Sequence, residues 1–104
     1  MLNKGDKIAL ITPSGFITKE KLNTAIQNIE KFSLKPVYSP EVLNRKGYLA
    51  GSDQERVNEM HAAYRDKSVK AVLCVRGGYG VTRILDMIDY NLVRQNPKPL
   101  IGYS

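Results

Sequence analysis

Apolar residues fall into short unbroken runs that alternate with stripes of helical period. Lys7-Ile8-Ala9-Leu10-Ile11-Thr12 is nearly continuous and is closed by Pro13-Ser14-Gly15. Such a run fits a strand covered on both faces, as in a parallel sheet. Leu22, Ala25, Ile26 and Ile29 follow at i, i+3, i+4 and i+7. That spacing predicts a helix beginning near Thr18. Lys35-Pro36-Val37-Tyr38 reads as a weaker strand. Proline cannot donate to a ladder, which puts Pro36 at the first residue or on a sheet edge. Ser39 to Gly51 carries Pro40, Asn44, Gly47 and Gly51 and reads as a loop. Ser52 with Glu55 three residues on is a capping-box pattern. The helix it opens lines up Val57, Met60 and Tyr64, with Ala63 beside them. Val69 to Val75 is the strongest strand and runs directly into Arg76-Gly77-Gly78-Tyr79-Gly80. Val81, Ile84, Leu85 and Ile88 predict a further helix, and a short helical turn near Asn91 to Gln95 ends before Pro97. Pro99 to Tyr103 predicts the last strand, with Ser104 at its tip.

Strand, helix, strand, helix, strand, helix, strand is the order of a doubly wound α/β domain. Right-handed crossovers make its strands parallel and lay helices on both faces. The expected fold is an open, mainly parallel sheet of about four strands. The last strand has no helix behind it. An open α/β unit rarely ends at the tip of a strand, so residues 1–104 are expected to be part of a larger protein.

Composition changes this picture little. The net charge of +6 raises the question of an anionic partner. The basic residues are spread along the chain, with no basic run interleaved with aromatics, so no nucleic-acid partner is expected. A basic half balanced by an acidic remainder accounts for the excess. The single cysteine, Cys74, lies in an apolar run and is read as a small hydrophobe. The amino terminus has no signal-peptide core, and no apolar run approaches the ~20 residues of a membrane span. A cytoplasmic location and no membrane partner are expected.

Candidate chemistry sits in the loops that leave the carboxyl ends of the strands, where open parallel sheets bind ligands. These are Thr12 to Gly15, Arg76 to Gly80, and Ser104. Three glycines within Arg76-Gly77-Gly78-Tyr79-Gly80 allow close backbone approach, and a following helix would aim free N–H groups at the same place. Such a loop suits a phosphate, a carboxylate or an oxyanion. A tight turn without a ligand is the simpler alternative. The G-x-G-x-x-G spacing of a dinucleotide loop is absent. Gly102-Tyr103-Ser104 has the first half of a nucleophile elbow, although serines also end strands as helix caps. Tyr79 and Tyr103 flank the proposed site and could line it or simply pack. His61, the only histidine, is read as a helix-surface or partly packed residue. No metal site is expected, because no ligand cluster has the right spacing. Asp86, Asp89 and the glutamates are read as solvated.

Val75-Arg76-Gly77-Gly78-Tyr79-Gly80 followed by Pro99-Leu100-Ile101-Gly102-Tyr103-Ser104 resembles the LD-carboxypeptidase family of serine peptidases. Ile11-Thr12-Pro13-Ser14-Gly15 and Gly47 to Arg56 are similar to that family as well. The family includes murein tetrapeptide carboxypeptidases and microcin C immunity proteins. The resemblance implies a Rossmann- or flavodoxin-like three-layer domain and a second, carboxy-terminal domain. It implies Ser104 as nucleophile and oxyanion donors from Gly77 or Gly78 and from the residue after the serine. Arg76, Tyr79, Ser14 and Tyr103 are the remaining substrate-side candidates. It further implies hydrolysis of an L-to-D amide in a murein-derived peptide, releasing D-alanine, with no cofactor and no metal. The catalytic Glu and His would come from the absent domain, so the 104-residue chain alone is expected to be inactive. The full-length form is expected to be a homodimer. A small module holding a nucleotide phosphate in its glycine loop, or a self-associating interaction module, remain alternatives.

Overall fold

The computed structural model describes residues 2–13, 15–45, 49–75 and 84–102, without the side chains of residues 40 and 41. The elements are β1 (Lys7–Ile11), α1 (Lys19–Lys31), β2 (Lys35–Val37), a 3-10 turn at Pro40–Leu43 and α2 (Asp53–Arg65). They continue with β3 (Val69–Cys74), a 3-10 turn at Leu85–Met87, α3 (Tyr90–Gln95) and β4 (Leu100–Ile101). The sheet order is β2-β1-β3-β4, and every pairing is parallel. The open α/β architecture expected from the periodicity is the one observed.

Pleating explains why these strands read as continuous apolar runs. Alternate side chains of one strand point to opposite faces. Ile8 and Leu10 of β1 join Leu22 and Ile29 of α1, together with Ala71 and Val75. Ala9 and Ile11 point the other way, into a cluster with Val57, Met60 and Tyr64 of α2 and Val72 of β3. The sheet is thus the middle layer of three. Each large aliphatic side chain fully buried in these clusters contributes roughly 1.5–3 kcal/mol.

The helix starts follow the sequence signals. The Thr18 hydroxyl accepts from the Lys21 N–H at 3.1 Å. At α2 the Ser52 hydroxyl accepts from the Glu55 N–H at 3.1 Å, and the Glu55 carboxylate accepts from the Ser52 N–H at 3.0 Å. Gly51 precedes this box at φ +88°, where a Cβ would lie 3.2 Å from that of Asn44. The far end of α2 is closed by Lys98, whose ammonium donates to the carbonyls of Ala63 (3.1 Å) and Asp66 (2.9 Å). A cation there also meets the negative end of the helix dipole. Pro36 lies in an edge strand, as its chemistry requires.

Three expectations need revision. The helix expected through Val81, Ile84, Leu85 and Ile88 is not continuous where it is described. Leu85–Met87 is a 3-10 turn, Leu85 is 42% exposed, and Ile88 is extended. Among the described residues of that stripe only Ile84 is fully buried, and a tighter turn at its carboxyl side swings Leu85 outward. The described part of the Ser39 to Gly51 stretch is more ordered than a solvent loop. Its 3-10 turn buries Val42, and Leu49 forms an antiparallel bridge to Gly15. The glutamates are not all solvated, because Glu59 is buried on the inner face of α2.

Candidate functional site

The chain reverses its direction of travel across the sheet after β2. From β1 it moves one way to β2, then crosses back to place β3 on the opposite side of β1, and continues to β4. The switch point therefore lies between β1 and β3, the place at which open α/β sheets generally bind ligands. Ile11 is the register partner of Cys74, and Leu73 that of Ile101. The Val75 N–H donates to the Ile11 carbonyl at 3.0 Å, so pairing persists one residue past β3. Neighbouring strands lie ~4.8 Å apart. The last residues of β1, β3 and β4 thus form one row along a single edge of the sheet.

All seven expected site residues, Ser104, Arg76, Gly77, Gly78, Tyr79, Ser14 and Tyr103, lie outside the described residues. Their described neighbours do come together. Pro13 and Gly15 flank position 14 at the end of β1, Val75 precedes position 76, and Gly102 precedes position 103.

The loop after β1 is held by α2 through buried polar contacts. The Thr12 N–H donates to Glu59 Oε1 at 2.6 Å. The Thr12 hydroxyl lies 3.2 Å from the same oxygen and 3.4 Å from the Val42 carbonyl, and its single proton can serve one of them at a time. Arg56 Nη1 donates to the Pro13 carbonyl at 2.8 Å, and its Nη2 pairs with Asp53. Arg56 and Thr12 are each 1% exposed, and Glu59 is 8% exposed. Burying an arginine this fully requires such partners, since an uncompensated charge costs several kcal/mol.

The second loop joins the clamp from the other side. Asn44 Nδ2 donates to Glu55 Oε2, and the Arg45 guanidinium lies 4.1 Å from the centre of the Phe16 ring. With the Gly15 to Leu49 bridge, these contacts tie Gly15 and Phe16 to Leu49 and Arg45, and Asn44 to the start of α2. Sequence reasoning overlooked this cluster. A signal was present: Arg56 and Glu59 each lie four residues before a member of the apolar face, Met60 and Ala63. Residues four apart share a helix face, so two charges were written into the inward stripe.

Cys74, at the end of β3, faces the α2 side. Burial pushes its thiol up, and the Glu59 charge adds to the rise. Near neutral pH it is a protonated, packed thiol and not a nucleophile. His61 is on the helix surface, with its Nε2 accepting from the Asp89 N–H at 2.9 Å. Among the described residues no group of three or more His, Cys, Asp or Glu could hold a metal ion, and no helix is long and apolar enough to cross a membrane.

Strand order and register together define a doubly wound α/β domain in which β1, β3 and β4 end along one edge of the sheet, beside a switch point. The chain belongs to the family described as LD-carboxypeptidase N-terminal domain (Peptidase_S66), whose profile matches residues 8–104. It is 44% identical over 103 residues to a probable murein peptide carboxypeptidase of Bacillus subtilis (strain 168), covering 99% of this chain and 32% of that protein. It superposes on a crystal structure of an MccF-like protein from Bacillus anthracis str. Ames with a TM-score of 0.91 and 34% identity, covering 99% of this chain and 32% of that one. A crystal structure of muramoyltetrapeptide carboxypeptidase from Oxalobacter formigenes matches at a TM-score of 0.85 and 30% identity, covering 94% of this chain and 33% of that one. The chain spans about a third of the length of the relatives it matches.

Proposed function

We propose that this chain is the nucleophile-bearing amino-terminal domain of a two-domain serine LD-carboxypeptidase that releases D-alanine from murein-derived tetrapeptide. One observation carries the reading. The strands that lead into the glycine-rich stretch and into Ser104, β3 and β4, are adjacent and parallel, and β1 lies beside β3 at the switch point. Two segments separated by more than twenty residues in sequence leave neighbouring strands at the same edge. The family assignment and the name of the Bacillus subtilis relative support the peptide substrate over a nucleotide phosphate.

In this reading the Ser104 hydroxyl attacks the carbonyl of the L-to-D amide. A histidine of the carboxy-terminal domain, oriented by a glutamate, takes the hydroxyl proton and passes it to the departing amine. The new bond joins Ser104 Oγ to the carbonyl carbon, and the bond to the D-alanine nitrogen breaks. The N–H of Gly77 or Gly78 stabilises the oxyanion, and loss of one such donor typically raises the barrier by ~3–4 kcal/mol. Water then hydrolyses the acyl-enzyme. Arg76 provides a planar fork suited to the substrate carboxylate. Ser14, Tyr79 and Tyr103 are the remaining candidates for contact with the substrate. The full-length enzyme acts as a cytoplasmic homodimer on recycled murein peptides.

The test uses the full-length enzyme with an L-alanyl-D-glutamyl-diaminopimelyl-D-alanine peptide. D-alanine release and covalent labelling by a fluorophosphonate are expected, and Ser104→Ala is expected to abolish both. Normal turnover by Ser104→Ala would overturn the assignment. The isolated 104-residue chain is expected to release no D-alanine, since an unassisted serine hydroxyl is a poor nucleophile near neutral pH.

A further inference from the structure

We infer that Arg56 and Glu59 are positioning residues for substrate binding, holding the loop after β1 in the shape that the substrate site needs; this rests on the peptidase reading above. Both side chains come from the inner face of α2, one turn apart, and both reach backbone atoms at the carboxyl end of β1. Glu59 takes the Thr12 N–H at 2.6 Å, and Arg56 gives to the Pro13 carbonyl at 2.8 Å. The two contacts grip consecutive residues with opposite polarity, one as acceptor and one as donor. A single contact would let the loop pivot. Two contacts to successive residues fix its exit direction from the strand.

The location makes the grip functional in character. A core helix position is ordinarily filled by an aliphatic side chain, and a well-packed aliphatic replacement for a buried ion cluster is often as stable or more so. Here the charges occupy the inner stripe only at the turns of α2 that face the switch point. The turn farther along carries Ala63 and Tyr64, which share a cluster with Val69, the first residue of β3. Loops at a site must be held to well within 1 Å of the productive geometry, which packing alone around a proline-containing turn does not define.

The test separates positioning from folding through the division between KM and kcat in the full-length enzyme. Glu59→Gln keeps an oxygen that accepts from the Thr12 N–H, whereas Glu59→Leu removes it. Both are expected to lower thermal stability. Only Glu59→Leu is expected to raise KM for the tetrapeptide, by about tenfold or more, with kcat for the folded fraction within about threefold of wild type. Arg56→Lys is expected to raise KM to an intermediate extent, because one ammonium replaces the fork. A purely structural role would reduce the active fraction in all three variants and leave KM at the wild-type value, and that result overturns the inference. Amide hydrogen exchange at Thr12 gives a readout without turnover. Exchange that accelerates in Glu59→Leu and stays slow in Glu59→Gln supports the grip, and equal exchange in the two overturns it. Failure of the wild-type enzyme to release D-alanine would instead count against the peptidase reading, while the exchange result would still report on the grip.

Discussion

The two faces of the sheet solve the burial problem differently. On one, α2 and α3 pack against Ala9, Ile11 and Val72, and the layer includes the buried polar cluster of Thr12, Arg56 and Glu59. On the other, α1 packs against Ile8, Leu10 and Ala71 with apolar contacts. Beside α1 an apolar cleft of about 340 Å³ runs over β3 and β4, lined in part by Ala25, Phe32, Leu73 and Ile101. Hydrophobic burial is indifferent to direction, so the α1 face gains stability without specifying where a loop should point. The α2 face trades some of that simplicity for hydrogen bonds of fixed geometry at the edge where the loops emerge.

The contrast can be broken at several points. The largest loss is expected for Arg56→Met, which withdraws the donor to the Pro13 carbonyl and unbalances a buried charge cluster; about 3–5 kcal/mol should be lost in urea unfolding. Leu10→Ala does the equivalent on the apolar face, where the side chain is 1% exposed, and should cost about 2–5 kcal/mol. The two should differ in kind, with Leu10→Ala leaving amide exchange at Thr12 tied to global stability and Arg56→Met accelerating it beyond that.

A pH series sharpens the same comparison. The Cys74 thiol is raised above its ordinary 9.0 by burial and then by Glu59, and Tyr64 is raised above 10.0 by burial and then by Cys74. A raised folded-state value means that the contribution is full below the unfolded value and is lost as pH climbs through the folded one. These two groups should therefore pull stability down from about pH 9 upward, by at most ~1.4 kcal/mol per pH unit each, against an opposite contribution from Lys98, whose ammonium is lowered by burial. Cys74→Ser should remove the first part of that slope when unfolding is followed at pH 7 and pH 9.5. Smaller still, Ser52→Ala deletes one half of the capping box and should cost about 1 kcal/mol. Least of all, Phe32→Ser at the rim of the α1 cleft, where the ring is 76% exposed, should change stability in this chain by less than about 0.5 kcal/mol.

Much of the architecture was legible before any coordinates. The unbroken run from Lys7 and the i, i+3, i+4, i+7 stripe from Leu22 each report a face that must be covered, and periodicity records that directly. The Ser52 and Glu55 box was readable because capping is local chemistry within four residues. What escaped was non-local. Glu59 looked solvated because its partner, Thr12, is 47 residues away in sequence. Leu85 was expected to be packed because the stripe was extended across a point where the chain tightens into a 3-10 turn. The candidate site was visible only as motif residues on loops. The strand order that brings those loops to one edge depends on β2 and β3 flanking β1, which no single segment encodes.

Pro36 carries a final consequence. The Lys35 N–H donates to the Asp6 carbonyl at 2.9 Å, so alternation along the strand turns the nitrogen of Pro36 away from β1 and toward the open margin of the sheet. A strand arriving there from another molecule would meet a position with no hydrogen to offer. The border along β2 is thereby made a poor template for recruiting a further strand.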